Sequence, residues 1–226
     1  IDEPESFLHP PLARQLGEII GNKTPDDKQL FVVTHSAEML KGILSSYKNA
    51  QVIRITRSDD KNSIQILENQ ELFKILRNPK LRVSKVLEGA FCEKVIITEA
   101  EADEIFYEEL LEKIYPQSGV YFTHAGNKQN IFKIAHVYNK LEIDNIMIFD
   151  FDIFRVHEEF SNLLQLRKIK EQIRQDYIKI RDDVQVHLET IINKKMASSD
   201  KDTKNNELKK LYHGFGLRAI ENDVLR

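Results

Sequence analysis

The sequence predicts an α/β protein built on a parallel sheet, and three observations carry that expectation. Short, strongly apolar runs at 94–98, 120–122 and 144–149 read as strands buried in a parallel sheet. Segments of helical period separate them, so the order strand–helix–strand–helix–strand implies right-handed crossovers. Two of the three runs end in paired acids, Glu99 with Asp103 and Asp150 with Asp152. Ligands of open α/β sheets bind at those carboxyl ends.

Taken in order, Leu8, Leu12, Leu16, Ile19 and Ile20 recur at helical spacing, and Gly21-Asn22 is a stop signal. Residues 29–34 (QLFVVT) predict a short buried strand, and Ser36 caps a helix running to about Tyr47. A hairpin is expected from 51–56 and 63–67 across the polar tip 58–62. Residues 71–76 have a helical pattern that Asn78-Pro79 breaks.

A second block starts near Ser84. Val86, Leu87, Ala90 and Phe91 form a helical approach to the strand at 94–98. Ile105, Phe106, Leu110, Leu111 and Ile114 then mark an amphipathic helix before the strand at 120–122. Gly126-Asn127 is a turn, 131–138 a helix, and 144–149 the third strand. From 156 to 196 the pattern is one long helix, with an apolar stripe from Phe160 through Ile173, Tyr177 and Ile180 to Ile192. Its Lys and Arg residues lie among acids, as on a solvated face. A polar linker is expected at 197–206 (ASSDKDTKNN) and a last helix at 207–217.

Composition sets further bounds. A chain of 226 residues can form one large domain or two modest ones. Lys plus Arg number 33 against 36 Asp plus Glu, a formal charge of −3, so overall charge gives no reason to expect non-specific nucleic-acid binding. The single Cys92 excludes an internal disulfide framework and fits the reducing cytoplasm; it reads as a small core residue. No stretch approaches the roughly 20 apolar residues of a membrane span, and no secretory pattern opens the chain. Ile1-Asp2-Glu3-Pro4 lacks an initiator Met and reads as the end of a strand, which suggests a fragment of a larger protein.

The acids carry the chemistry. Glu99 ends a strand, and Asp103 falls in the first turn of the following helix. Asp150 and Asp152 flank one residue, so strand alternation would put both on one side. Four carboxylates brought together repel unless cations neutralise them. Two Mg²⁺ or Mn²⁺ ions held there could activate water and stabilise the leaving oxygen of a phosphodiester. The plain alternative is a solvated rim of strand-end acids. Lys128 can contact a scissile phosphate or serve as a helix-start surface residue. Glu101 is expected in solvent.

Two resemblances follow from these motifs. Asp2-Glu3-Pro4-Glu5, Leu8-His9-Pro10 and Thr34-His35-Ser36 resemble the C-terminal half of an ABC-type ATPase, in the branch of chromosome-maintenance and overcoming-lysogenization-defect (OLD) proteins. That resemblance implies that Asp2 helps hold Mg²⁺, Glu3 orients the attacking water and His35 senses the γ-phosphate. The chain has no Gly-x-x-x-x-Gly-Lys-[Ser/Thr] and no Leu-Ser-x-Gly, so ATP is expected only in the intact protein, with the missing parts upstream of Ile1.

Thr98-Glu99-Ala100-Glu101-Ala102-Asp103 and Phe149-Asp150-Phe151-Asp152 resemble a Toprim domain, with His124-Ala125-Gly126-Asn127-Lys128 where OLD-like sequences carry a Gly-x-Lys turn. Ala100 departs from the usual Gly, and no fourth strand is evident after Asp152. The order implies an ATPase part at 1–83 and a Toprim part at 84–226, with the helical segment 156–226 as an insertion. The resemblance further implies a metal-dependent DNA endonuclease coupled to an ATPase head, often found in anti-phage defence. Glu99, Asp103, Asp150 and Asp152 would hold two Mg²⁺ or Mn²⁺ ions. A homo-oligomer paired through the ATPase heads and a defence-system partner protein are implied as well. Two alternatives stay open: a ribonuclease acting on structured RNA such as tRNA, and a non-catalytic ATPase scaffold holding a partner effector.

Overall fold

The computed structural model describes residues 1–25, 27–47, 49–68, 85–167, 169–195, 203 and 206. Two compact units divide the chain, Ile1–Ile148 and Phe149–Arg226.

In the first unit, Asp2 bridges Val33 in parallel, with the Val33 amide donating to the Ile1 carbonyl and the Glu3 amide to the Val33 carbonyl, each at 2.9 Å. The buried strand expected at 29–34 reduces to this one bridge, and Phe31 and Val33 are exposed. A parallel strand is buried only when both faces are covered. Among the described residues the segment pairs only with the chain start.

Helix α1 (Pro10–Lys23) begins with Pro at its first position, where a missing amide costs nothing. Helix α2 (Ala37–Ser46) is capped as expected: Ser36 Oγ accepts from the Met39 amide at 3.2 Å. The face α1 buries is Ala13, Gly17 and Gly21, whereas Leu12 and Ile19 of the apolar stripe are exposed. The helices cross through glycines. A Cβ on Gly42 would stand 2.2 Å from the Arg14 carbonyl oxygen, and one on Gly17 2.4 Å from that of Met39.

Strands β1 (Gln51–Ser58) and β2 (Lys61–Glu68) form the expected antiparallel hairpin, with Ile53 opposite Ile66 and Ile55 opposite Ile64. Its four isoleucines face solvent, Ile55 at 65% exposure. The opposite face carries Arg54 inward. Its guanidinium donates to the carbonyls of Ala90 (3.2 Å), Cys92 (3.0 Å) and Leu141 (3.0 Å).

The helical approach to the sheet is a short 3-10 turn, Glu88–Phe91, with Val86 and Leu87 buried beside it. Strand β3 (Lys94–Thr98), helix α3 (Glu101–Ile114), strand β4 (Val120–His124), helix α4 (Lys128–Lys140) and strand β5 (Asp144–Met147) follow in the predicted order. The sheet is parallel, ordered β4-β3-β5, with Ile96 level with Phe122 on one side and Ile146 on the other. Val95, Ile97, Phe122, Ile131, Ile134, Val137, Tyr138 and Leu141 fill the core. The Tyr138 hydroxyl donates to the Val86 carbonyl at 2.6 Å, which satisfies the one polar atom this buried ring brings in.

Helix α3 does not bury the apolar stripe read from its sequence. Ile105, Phe106 and Ile114 are exposed, and its one buried residue is Glu104. Strand β5 stops at Met147 rather than Phe149, although the Ile148 amide still donates to the Ile97 carbonyl at 2.9 Å.

The second unit opens with a 3-10 turn, Phe151–Phe154, followed by helices α5 (His157–Leu166) and α6 (Glu171–Lys195). The single helix expected over 156–196 is therefore broken between Leu166 and Glu171. A lone helix would have nothing to bury its stripe against. Packed together, the two helices bury Phe160, Leu164 and Leu188. Phe154 lies 4.9 Å from both the Phe151 and Phe160 rings, a stack beneath the turn.

The helix expected at 71–76, the Asn78-Pro79 break and the last helix at 207–217 lie outside the described residues. So does the linker at 197–206, apart from Thr203 and Asn206, which are helical. Among the described residues no helix is long and apolar enough to cross a membrane.

Candidate functional site

In the first unit, β3 and β4 deliver their carboxyl ends side by side, with Thr98 level with His124. The Thr98 carbonyl accepts from the Ala125 amide at 3.0 Å, which carries the pairing one residue past β4. Glu99 follows directly. It is half-buried, with Oε2 withdrawn from solvent. The Ala100 that replaces an expected Gly has φ −120° and ψ 162°, extended backbone that any residue adopts. The substitution costs the turn nothing.

Asp103 is half-buried at the third position of α3, where Oδ2 accepts from the Ala100 amide at 3.1 Å. This is the returning half of a capping box, and it gives Asp103 a structural task beside any chemical one. Glu101, Asp103 and Glu104 together place three acids in the first turn, where the helix dipole favours negative charge. Glu101 is exposed, as expected.

Sequence reasoning missed one pair. Glu104, 6% exposed, lies in hydrogen-bond contact with His124 Nδ1 at the end of β4. A buried carboxylate needs such a partner. The only available signal was a histidine closing an apolar strand, and nothing local links it to an acid 20 residues earlier.

Lys128 is the first residue of α4 and is half-buried. Its turn is firmly held. Gly126 sits at φ +75°, Asn127 Oδ1 accepts from the Asn130 amide at 2.9 Å, and the buried Asn130 side chain donates to the Ala125 carbonyl at 3.1 Å.

In the second unit, Asp150 is exposed and Asp152 half-buried with Oδ1 withdrawn from solvent. They are not on an extended strand, so alternation does not place them on one side. Asp150 precedes the Phe151–Phe154 turn with φ −61° and ψ 150°, and Asp152 lies inside it. The Ile153 amide donates to the Asp150 carbonyl at 3.0 Å and the Arg155 amide to the Asp152 carbonyl at 2.9 Å. A 3-10 turn advances about three residues per turn, which separates side chains two apart.

Carboxylate oxygens are the donors that Mg²⁺ and Mn²⁺ prefer, so the chemistry of the four acids fits a hard divalent ion. Among the described residues, however, no group of three or more His, Cys, Asp or Glu side chains is arranged to hold a metal ion. Glu99 and Asp103 lie in the first unit, and Asp150 and Asp152 in the second.

At the chain start, Asp2 lies in the bridge to Val33, and Glu3 follows with φ 39°, a conformation uncommon outside glycine. Glu3 Oε1 stands 3.4 Å from Nε2 of the exposed His35. Thr34 Oγ1 donates to Glu5 Oε1 and accepts from the Ser36 amide at 2.9 Å, which fixes the segment beside His35. The His9 carbonyl accepts the Leu12 and Ala13 amides, so Leu8-His9-Pro10 shapes the start of α1.

Comparison with known proteins agrees with this organisation. Residues 91–152, which include Glu99, Asp103, Lys128, Asp150 and Asp152, match the family model of the overcoming lysogenization defect protein-like TOPRIM domain. Residues 1–41, which include Asp2, Glu3 and His35, match that of an AAA domain described as a putative AbiEii toxin of a type IV toxin–antitoxin system. The chain is 26% identical over 149 residues to Endonuclease GajA of Bacillus cereus (strain VD045), covering 61% of this chain and 25% of that protein. It is 23% identical over 162 residues to the Old nuclease of Escherichia phage P2, covering 67% of this chain and 27% of that one. The chain thus spans about a quarter of the length of these curated relatives. An AAA-like segment and an OLD-like Toprim segment are present in the order that the motifs imply.

Proposed function

We propose that this chain is the ATPase-to-Toprim part of a metal-dependent DNA endonuclease whose cutting is coupled to nucleotide state. The observation that carries the reading is the position of Glu99 and Asp103. Both are half-buried where the central strand of a parallel sheet ends, inside the segment that matches the Toprim model. Two relatives that bear the word nuclease or endonuclease in their names support the same class of activity.

In this reading residues 1–83 belong to the ATPase part and 84–226 to the Toprim part. Glu99, Asp103, Asp150 and Asp152 would hold two Mg²⁺ or Mn²⁺ ions. Bound there, such ions supply a nucleophilic water and neutralise charge on the leaving oxygen. Lys128 sits at a helix N-terminus, where a cation is unfavourable by itself, and a nearby phosphate would reverse that sign. In the ATPase part Asp2 would hold Mg²⁺ with ATP, Glu3 would orient water and His35 would report the γ-phosphate. Pairing of ATPase heads makes the intact protein a homo-oligomer, working in the cytoplasm, with anti-phage defence as its setting and a defence partner protein at hand.

The test uses the full-length protein. Asp150→Ala and Glu99→Ala should each abolish the cleavage of plasmid DNA that Mg²⁺ or Mn²⁺ supports, with and without ATP. Undiminished cleavage in both variants rejects the site. Cleavage of transfer RNA in place of the plasmid assigns the same acids to a ribonuclease. One observation favours a second reading, a non-catalytic ATPase scaffold: Asp103 already serves as a helix cap, and no three acids cluster among the described residues. Complete inactivity on both nucleic acids, together with a stable partner complex, would establish it.

A further inference from the structure

We propose that Arg181, on the long helix α6, is a positioning residue for the turn that carries Asp150 and Asp152, and that the helical segment acts as a brace for that turn. This inference rests on the metal-site reading of those acids.

Arg181 is 6% exposed, and a guanidinium cannot shed its charge when buried. Its presence there therefore requires partners. It finds them on the turn: Nε donates to the Phe154 carbonyl and Nη2 to the Arg155 carbonyl, each at 2.7 Å, while Nη1 donates to Asp182 Oδ1 at 2.5 Å. The end of a helical turn leaves carbonyls without intrahelical donors. Arg181 supplies donors to two consecutive ones from a single rigid plane.

The connection to the acids is short. The Arg155 amide, next to the carbonyl that Arg181 holds, donates to the Asp152 backbone carbonyl, and the Ile153 amide to the Asp150 backbone carbonyl. Arg181 thus holds the carbonyl end of the one-turn element whose start carries Asp150 and Asp152. The helix is itself anchored, because Leu188 is buried with Phe160 and Leu164, and the Phe151–Phe154–Phe160 stack fills the space beneath. The fork of donors also explains the residue type. An ammonium is a point charge and cannot engage both carbonyls with fixed geometry.

The experiment compares parent, Asp150→Ala, Arg181→Ala and Arg181→Lys in the full-length protein. It has two readouts: amide hydrogen exchange at Ile153 and Arg155, and Mn²⁺ affinity followed by electron paramagnetic resonance. Supporting residues of metal ligands are typically worth roughly ten- to a hundredfold in metal affinity. We expect a loss of that order in Arg181→Ala, together with faster exchange at both amides and unchanged exchange in β3. Free guanidinium should restore both readouts in that variant. Arg181→Lys keeps the charge and should retain the fold while still loosening the turn. Faster exchange with undiminished Mn²⁺ affinity would make Arg181 merely structural and overturn the proposal, as would unchanged exchange in both variants. If parent and Asp150→Ala bind Mn²⁺ equally poorly, the metal-site reading fails and this proposal with it. If Asp150→Ala loses Mn²⁺ and the Arg181 variants do not, only this proposal fails.

Discussion

Arg54 should matter to stability far more than a residue on a surface hairpin normally does. Its guanidinium reaches the carbonyls of Ala90, Cys92 and Leu141 at 3.2, 3.0 and 3.0 Å, ordinary distances for charged donors. Those carbonyls precede β3 and β5, so one side chain ties the hairpin to the amino ends of two sheet strands. Hydrogen bonds to charged groups are worth about 1.5–3 kcal/mol each, and partial exposure brings these nearer 1 kcal/mol. Arg54→Met keeps most of the stem and removes all three, a cost of about 3 kcal/mol. For a chain of this size that is a fall in melting temperature of roughly 6–12 °C. Arg54→Lys can keep at most one of the bonds well and should recover a minority of the loss. Thermal unfolding followed by circular dichroism reads both. A change in Arg54→Met within about 0.5 kcal/mol, as for an ordinary surface substitution, would refute the stitching role.

Other consequences are sharper still. Gly42→Ala gains helix propensity of about 1 kcal/mol but drives a methyl against the Arg14 backbone at 2.2 Å, so melting should show net destabilisation of about 1–3 kcal/mol. Tyr138→Phe leaves the Val86 carbonyl buried without its donor and should cost about 1–3 kcal/mol by denaturant titration; no change would deny the bond. Burial pushes the Cys92 thiol above its ordinary value of 9.0, with Arg54 pulling it down and Glu88 pushing it up. The unfolded chain therefore ionises first as pH rises, so the thiol's contribution to stability is intact below 9.0 and is lost above it. Alkylation of the folded protein at pH 8 should be slower than that of the denatured chain, and equal rates would contradict the burial.

The sheet was legible because its signal is local. Val95, Ile97 and Phe122 sit in runs too apolar for anything but a covered strand, and the helices between them leave one sensible connectivity. Glu99 and Asp103 inherit their places from that pattern. The Asp150–Asp152 turn was misread for the same reason. An apolar run leading into Asp150 looks extended until the chain turns, and what turns it, the stack of Phe151 on Phe154 and the reach of Arg181, lies partly on a helix that the run cannot reveal. The hairpin shows the limit most clearly. Its alternation gave strands and register, but which face turns inward depends on carbonyls as remote as that of Leu141. The helix glycines carry meaning that propensity does not: Gly17 and Gly42 are poor helix formers, yet they permit the crossing of α1 and α2.

The two ends of the sheet differ in what crowds them. At the amino end, neutral carbonyls converge on one arginine, an arrangement that stabilises and has no room for chemistry. At the carboxyl end, Glu99, Glu101, Asp103 and Glu104 fall within six residues of one another along the chain. Their roles are already divided. Glu104 is committed to His124, Asp103 lends one oxygen to the Ala100 amide, and Glu101 faces solvent. Glu104 is turned into the fold against His124, away from the solvent that Glu101 faces. The same edge thus commits two of its carboxylates to structure, one to a helix cap and one to a histidine, and leaves Glu99 as the half-buried acid that the central strand itself delivers.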